Sequence, residues 1–433
     1  MVAEVERKAS RAAGMFHALA NRNFRLFWTG AFLSNAGTWM QMVAQAILVY
    51  NLTNSPFWLG VDSFMTTAPG LVLTLFGGAL ADSVNRKRLI IFTQAGAGLS
   101  ALVLGVFLLT GVVKDSSDVW IILLLSFVTG SCWAFSGPAF QAITFDLVER
   151  EELAHAIALN SMQFQVARVI GPTLAGLTMS YYGLAGCFLG NGLSYVAIVT
   201  ALTQVRFEPK PRPPAPAPAK VETGTQSRLS KSSRAIWADL MEGFRYVGSR
   251  PRVRLLLFCS ALVSFFAGPY LVLTPVFAKE VFGWGDTGVS LLMGMAGAGA
   301  LCGALMLTYL GDFKQKGWFA LASSVMSGVC LFVFAVATHP ALALPALFGV
   351  GLSMVSFFAV NNTLVQQLVT DQMRGRVMSM WILTLIGTMP LGSFLSGIGA
   401  ARYGAQWTLA ICGLFITLLI GFIGLRNARL REL

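Results

Sequence analysis

Apolar runs of membrane-spanning length, separated by short polar breaks, fill the chain from residue 24 to residue 425. About 20 apolar residues carry a helix across ~30 Å of hydrocarbon. Windows of that size predict twelve helices: 24–50, 57–81, 89–111, 119–141, 156–181 and 184–205, then 255–278, 288–310, 317–338, 341–368, 377–400 and 405–425. The breaks between them are not equivalent. Of the 31 Lys and Arg residues, all but Lys114, Arg168, Lys279 and Arg402 fall on one side of the implied membrane if the chain starts there. A wrong helix count would scramble that division, so the positive-inside rule predicts both termini in the cytoplasm. The first window is too long for a signal peptide and follows a charged stretch rather than a short basic start before a cleavage site.

One break is long. Residues 206–254 begin with PKPRPPAPAPA, Pro209–Ala219, a polyproline-type tether that cannot build a core. After it Ile236, Leu240, Phe244 and Val247 recur at helical spacing, giving an amphipathic helix that lies on lipid or packs on protein. The domains read as a cytoplasmic segment 1–23, a six-helix bundle 24–205, the linker 206–254, a second bundle 255–425 and a cytoplasmic tail 426–433. The fold class is an all-α integral membrane protein.

Composition excludes a soluble reading, because 55% of residues are hydrophobic and 12% charged, with a mean hydropathy of +0.68. Soluble domains carry about 25% charge. The formal net charge of +12 suits an anionic membrane face rather than nucleic acid, since the cations sit between apolar runs. The six cysteines lie inside those runs with no CxxC pair, and the three histidines are far apart, so no metal site or cofactor is expected. No phosphate-binding Gly-rich loop, HExxH or GxSxG is present. An enzyme or a receptor would need a polar constellation or an appended domain, and the sequence supplies neither.

The chain repeats itself. A shift of 221 residues brings Val148 onto Val369, Gly171 onto Gly392, Gly176 onto Gly397, Tyr182 onto Tyr403 and Gly183 onto Gly404, and a shift of 230 brings Asp82 onto Asp312. Two copies of a six-helix unit in the same orientation are the layout of alternating-access carriers, with the site near the midplane between them.

The segment GGALADSVNRKR, Gly77–Arg88, resembles the loop 2–3 signature of the major facilitator superfamily, carried by Gly78, Asp82, Arg86, Lys87 and Arg88, with Asn85 where the superfamily usually has Gly. ARVIGPTLAG resembles its antiporter motif through Gly171, Pro172 and Gly176, with Ala175 in place of the first closing Gly. NRNFRLFWTGAFLSNAGTWMQ and EGFRYVGSRPRVRLLL resemble the bacterial subgroup holding enterobactin-type siderophore exporters and macrolide exporters. The resemblance implies the major facilitator fold of two six-helix pseudo-repeats in a bacterial inner membrane, with a cavity between spans 1, 4, 7 and 10. It also implies that Asp82 latches onto the start of span 11, closing the cytoplasmic side.

Asp62 is the one acidic residue inside an apolar run, about five residues into the second span, or roughly 8 Å deep at ~1.5 Å per residue. A carboxylate there is costly unless protonated or paired, which makes Asp62 the proton-coupling candidate; Asp146, at the inner end of span 4, is the rival. Arg168 is the one cation within a span and reads either as an anion or substrate contact or as a structural lock. Amides and aromatics on spans 1, 4, 7 and 10 are the cavity candidates: Asn35, Gln41, Gln45, Trp133, Gln141, Phe265, Tyr270, Phe357, Asn361, Asn362 and Gln366. Such a lining suits a large amphipathic ligand, although the same residues serve equally as helix-to-helix contacts.

The expected function is secondary-active, proton-driven efflux of an amphipathic small molecule, a siderophore or a drug. The alternative is an importer or a lipid or solute facilitator on the same fold. The expected partners are that small molecule, protons and the lipid bilayer, with no nucleic acid, and the chain is expected to act as a monomer.

Overall fold

The computed structural model describes residues 18–149, 152–205, 241–311 and 313–427, and all regular structure among them is helical. The long helices are α1 (Arg22–Thr53), α2 (Pro56–Ser83), α3 (Arg86–Thr110) and α4 (Val119–Leu147), followed by Leu153–Gln204, which breaks at Gly183 into α5 (153–182) and α6 (184–204). The second part of the chain holds α7 (Pro251–Val281), α8 (Gly285–Leu310), α9 (Lys316–Val336), α10 (Pro340–Leu368), α11 (Asp371–Tyr403) and α12 (Ala405–Arg426). Nine helical stretches among the described residues are long and apolar enough to cross a membrane, Leu153–Gln204 contributing one of them. Several helices outrun their apolar windows. α4 continues through Asp146 to Leu147 and α11 starts at Asp371, because helical hydrogen bonding persists where side chains can already reach water.

Local chemistry sets the helix ends. The Asn21 side chain accepts from the backbone N–H groups of Asn23 and Phe24 at the start of α1, and the Asn85 side chain accepts from the N–H of Arg88 at the start of α3. Asn is a favoured cap, which gives a physical reason for its presence where the loop signature usually has Gly. α7 is bent. Gly268-Pro269 interrupts its ladder, Pro275 follows, and Phe277–Val281 closes it as a π-turn.

Packing recurs between the two parts of the chain. α2 lies on α4 as α8 lies on α10, and α3 contacts α4 as α9 contacts α10. The two sequence shifts also carry Gly130 onto Gly351 and Thr66 onto Ala296. A Cβ on Gly130 would lie 2.0 Å from the Thr66 carbonyl, and one on Gly351 would lie 1.9 Å from that of Ala296. Small residues bring each pair of helices to backbone contact. The hairpins α5–α6 and α11–α12 turn at Gly183 (φ 66°, ψ −171°) and Gly404 (φ 87°, ψ 151°), in a region open essentially to glycine alone. Across the two parts α5 meets α8, with Gly176 near Ser290, and α2 meets α11, with Gly60 against Gly397.

Two ends can be distinguished. The basic end holds the starts of α1, α3 and α11; the far end holds the end of α1, the end of α7 and the start of α8. Buried side chains form one cluster that runs through the second part of the chain and into the far end of the first, including Ile47, Tyr50, Leu104 and Ile122. A separate cluster of Phe24, Phe27, Ile90, Ile143, Leu159 and Leu202 occupies the basic end of the first part.

Of the linker, the described residues 241–249 are helical and rest on protein. Val247 is buried, Gly243 faces the Met380 sulfur, and Glu242 pairs with Arg376 of α11 at 2.7 Å, while Phe244 is exposed. Ile236, Leu240 and the proline-rich tether fall outside the described residues.

Candidate functional site

Asp62 lies on α2, 8% exposed. The Gln45 amide of α1 donates to both of its carboxylate oxygens at 2.9 Å, and the Ser126 hydroxyl of α4 donates to Oδ1 at 2.6 Å. The Gln45 amide also reaches the Ser126 hydroxyl at 2.8 Å, so three helices converge on one carboxyl. Among the described residues no Lys, Arg or His pairs with it. Dipoles rather than a counter-charge hold this group, a configuration that stays workable whether the carboxyl carries a proton or not.

The bonding continues away from Asp62. Gln41 donates to the Gln45 carbonyl at 3.4 Å, and Asn191 of α6 donates to the Gln41 carbonyl at 2.6 Å. Gln41 and Asn191 are both buried.

Arg168 on α5 is half-buried and reaches across to α7, where its Nη2 donates to the Tyr270 hydroxyl at 2.8 Å. Its guanidinium lies 5.4 Å from the centre of the Trp39 ring of α1. Asp62 and Arg168 therefore serve different neighbours. Gly171 and Gly176, in the same helix as Pro172, face Trp39 on α1 and Ser290 on α8 respectively.

A second inter-part junction lies at the far end. The Tyr50 hydroxyl of α1 donates to Glu280, Lys279 donates to Asn51, and Lys279 pairs with Asp286 of α8 at 2.5 Å. Sequence alone made Lys279 and Glu280 ordinary boundary charges. Their role depends on the π-turn at the end of α7, which no short-range signal announces.

At the basic end, Arg86 pairs with Asp146 of α4 at 3.0 Å, and the Lys87 ammonium donates to the carbonyls of Thr203 and Val205 at 3.1 and 2.8 Å. A cation on the last carbonyls of α6 complements the negative end of that helix. Arg88 is exposed. Gly78 and Asp82 lie on α2, in the stretch 75–83 whose side chains fall outside the description, so the latch to α11 falls outside it too.

The remaining cavity candidates separate. Asn361 is fully buried, accepts from Ser260 at 3.1 Å and Trp381 at 3.2 Å, and donates to the Leu256 carbonyl, joining α7, α10 and α11. Phe357 and Tyr270 are also buried, whereas Phe265, Asn35 and Asn362 are half-buried. Trp133, Gln141 and Gln366 are exposed, Gln366 donating to Asn362 at 2.6 Å. Ser126 and Asn191 were not among the sequence candidates, since a lone Ser or Asn in an apolar run looks like a helix contact. A groove of about 320 Å³ between α3 and α4, lined by residues including Phe92, Phe127 and Cys132, is apolar.

The sequence profile of transmembrane secretion effectors matches residues 13–433. The chain belongs to that family, within the major facilitator superfamily. As a secretion effector it is a membrane transporter and not an enzyme. It is 24% identical to the staphyloferrin A transporter of Staphylococcus aureus (strain NCTC 8325 / PS 47), covering 92% of this chain and 96% of that one. It is 25% identical to the enterobactin exporter EntS of Salmonella typhi, over 92% of each chain. The macrolide efflux protein A of Streptococcus pyogenes is 23% identical, over 91% of this chain and 93% of that one. Among solved structures, a variant of the nucleoside transporter NupG superposes with a TM-score of 0.72 at 11% identity, covering 94% of this chain and 100% of that one. A bacterial homologue of the lysosomal transporter Spinster superposes at 0.69 and 15% identity, covering 96% and 98%. These two likenesses concern the fold.

Proposed function

We propose that this secretion effector exports an amphipathic small molecule, of the siderophore or drug class, in exchange for protons. It crosses a bacterial inner membrane twelve times in two six-helix halves, works as a monomer by alternating access, and keeps its basic end in the cytoplasm. The names of the enterobactin exporter and the macrolide efflux protein support export, and with the staphyloferrin A transporter they support the substrate class. The recurrent packing of α2 on α4 and α8 on α10 supports the two halves.

The observation that carries proton coupling is the setting of Asp62. A coupling group must exist at one position in both charge states as access alternates. Gln45 and Ser126 supply donors for the carboxylate; the Ser126 oxygen and, after rotation, the Gln45 carbonyl supply acceptors for the acid. Asp146, the rival, already accepts from Arg86, and that pair is partly exposed.

The test is accumulation of a macrolide in cells with and without the protein, and with and without an uncoupler. The native protein lowers accumulation and the uncoupler abolishes the difference; an importer would raise it. Asp62→Asn is expected to lose uphill export while retaining downhill exchange in proteoliposomes. If Asp62→Asn still drives export against a gradient with native pH dependence, Asp62 is not the coupling group.

A further inference from the structure

The bonds that lead to Asp62 share one direction. Asn191 Nδ2 donates to Gln41 Oε1, Gln41 Nε2 donates to Gln45 Oε1, and Gln45 Nε2 donates to the carboxylate. Each amide thus presents its N–H toward Asp62 and its carbonyl away from it. The train begins on α6, passes two successive turns of α1 and ends on α2. Its first member is fitted closely, since a Cβ on Gly37 would lie 2.5 Å from Asn191 Oδ1 and 2.4 Å from Ser194 Oγ.

We infer that Gln41, Gln45 and Asn191 are positioning residues of the proton cycle, a reversible train of amides that registers the charge on Asp62 at the α1–α6 contact. The inference rests on Asp62 being the proton carrier. When a proton binds Oδ2, the new O–H confronts the Gln45 N–H, and two donors cannot share that space. Gln45 therefore rotates its amide so that Oε1 accepts from the acid. Its N–H now faces Gln41, which rotates in turn and places its own N–H toward Asn191.

Asn191 then turns its N–H toward Ser194, and the train can end there. The Ser194 hydroxyl, which lies 2.9 Å from Asn191 Oδ1 and 2.7 Å from the Asn191 main-chain carbonyl, accepts from the side chain and donates to the main chain. Along the train each amide-to-amide bond is retained with its direction reversed, while Gln45 gives up its N–H bonds to Asp62 Oδ1 and the Ser126 hydroxyl, and loss of the proton restores the first arrangement. The rival route is short. A proton on Oδ1 could donate to Ser126, which already lies 2.8 Å from the Ile122 carbonyl and could turn its own hydrogen there. In that case the amides would not move.

No other charge competes at this position among the described residues. The helices against α2 are α1, α3, α4, α7 and α11. Their charged side chains lie within two turns of a helix end, and the other titratable groups on them are Tyr50, Cys132, Cys259, Tyr270 and Tyr403. None of these bonds Asp62.

The test uses infrared pH-difference spectra of the full-length protein in lipid nanodiscs, with asparagine or glutamine carrying a heavy-carbon side-chain amide. The acid carbonyl band that vanishes in Asp62→Asn belongs to Asp62. If no band vanishes, the proton-carrier reading fails, whatever the amides do. With that band present, an asparagine amide band is expected to appear at the same pH midpoint and to be lost in Asn191→Leu. It is also expected to be lost in Gln41→Leu, where the Asp62 band persists but the train is cut. Absence of an asparagine band from the native spectrum, a measurement that needs no variant, overturns the train in favour of the Ser126 route. So does its survival in Gln41→Leu.

Discussion

Among the described residues Arg168 pairs with no acid; its bonds are a phenol hydroxyl and an indole face, on two different helices. Such a cation joins the helices without fixing them as rigidly as a buried ion pair would, because each contact is modest. Tyr270→Phe removes the hydroxyl and leaves Trp39 in place. A hydrogen bond to a charged group is worth about 1.5–3 kcal/mol, and the half-burial of Arg168 argues for the lower end. The expected result is an increase of about tenfold in the population with α5 and α7 separated at that level, since ~1.4 kcal/mol is a factor of ten. Spin-label distance distributions between the two helices measure it, and an unchanged distribution would remove the hydroxyl from any role in holding the halves together.

At the scale of the helix, α4 carries a built-in comparison. Gly130 touches the Thr66 carbonyl, one turn from both Ser126 and Asp62, whereas a Cβ on Gly137 would meet nothing within 4 Å. Gly130→Ala is expected to force α4 from α2, to lower the melting temperature by an overpacking cost of about 1–3 kcal/mol, and to loosen the Ser126 bond. Gly137→Ala should be neutral or stabilising by up to ~1 kcal/mol, through helix propensity. Thermal melts of the two purified variants check this, and equal melting temperatures would contradict the backbone contact. The positions of the helices were legible because hydropathy averages over twenty residues and tolerates local exceptions. Gly183 and Gly404 were legible as a related pair through the 221-residue shift, and the structure adds the left-handed backbone that demands them. Asp62 was legible by its isolation. Its partners were not, because Ser126, Gln41 and Asn191 acquire meaning only when α6 folds back on α1, and a single sequence carries no distance between them.

For the whole molecule, the large buried cluster joins the two parts of the chain at the far end, whereas at the basic end the first part keeps a cluster of its own, so the two parts are held more firmly at the far end. The far end also carries the Tyr50–Glu280 and Lys279–Asn51 bonds. The proposed export requires those contacts to open on one side of the membrane only, so the orientation of the chain becomes a mechanistic matter. In a background with the six native cysteines replaced, Lys114→Cys is expected to react with an impermeant maleimide in intact cells. Lys220→Cys should react only after permeabilisation. Labelling of position 220 from outside would reverse the proposed orientation.

The hairpins at Gly183 and Gly404 have a consequence for anything that approaches from the far side. Each reverses the chain at a single residue, and the other far-end connections, 54–55, 282–284 and 337–339, are nearly as short. Residues 111–118 are the longest connection there among the described residues, held by the Asp118 carboxylate accepting from the N–H groups of Lys114 and Asp115 at 2.9 Å. A protease, an antibody or a grafted epitope would have little else to grip, so surface recognition of this protein from that face should converge on one eight-residue segment.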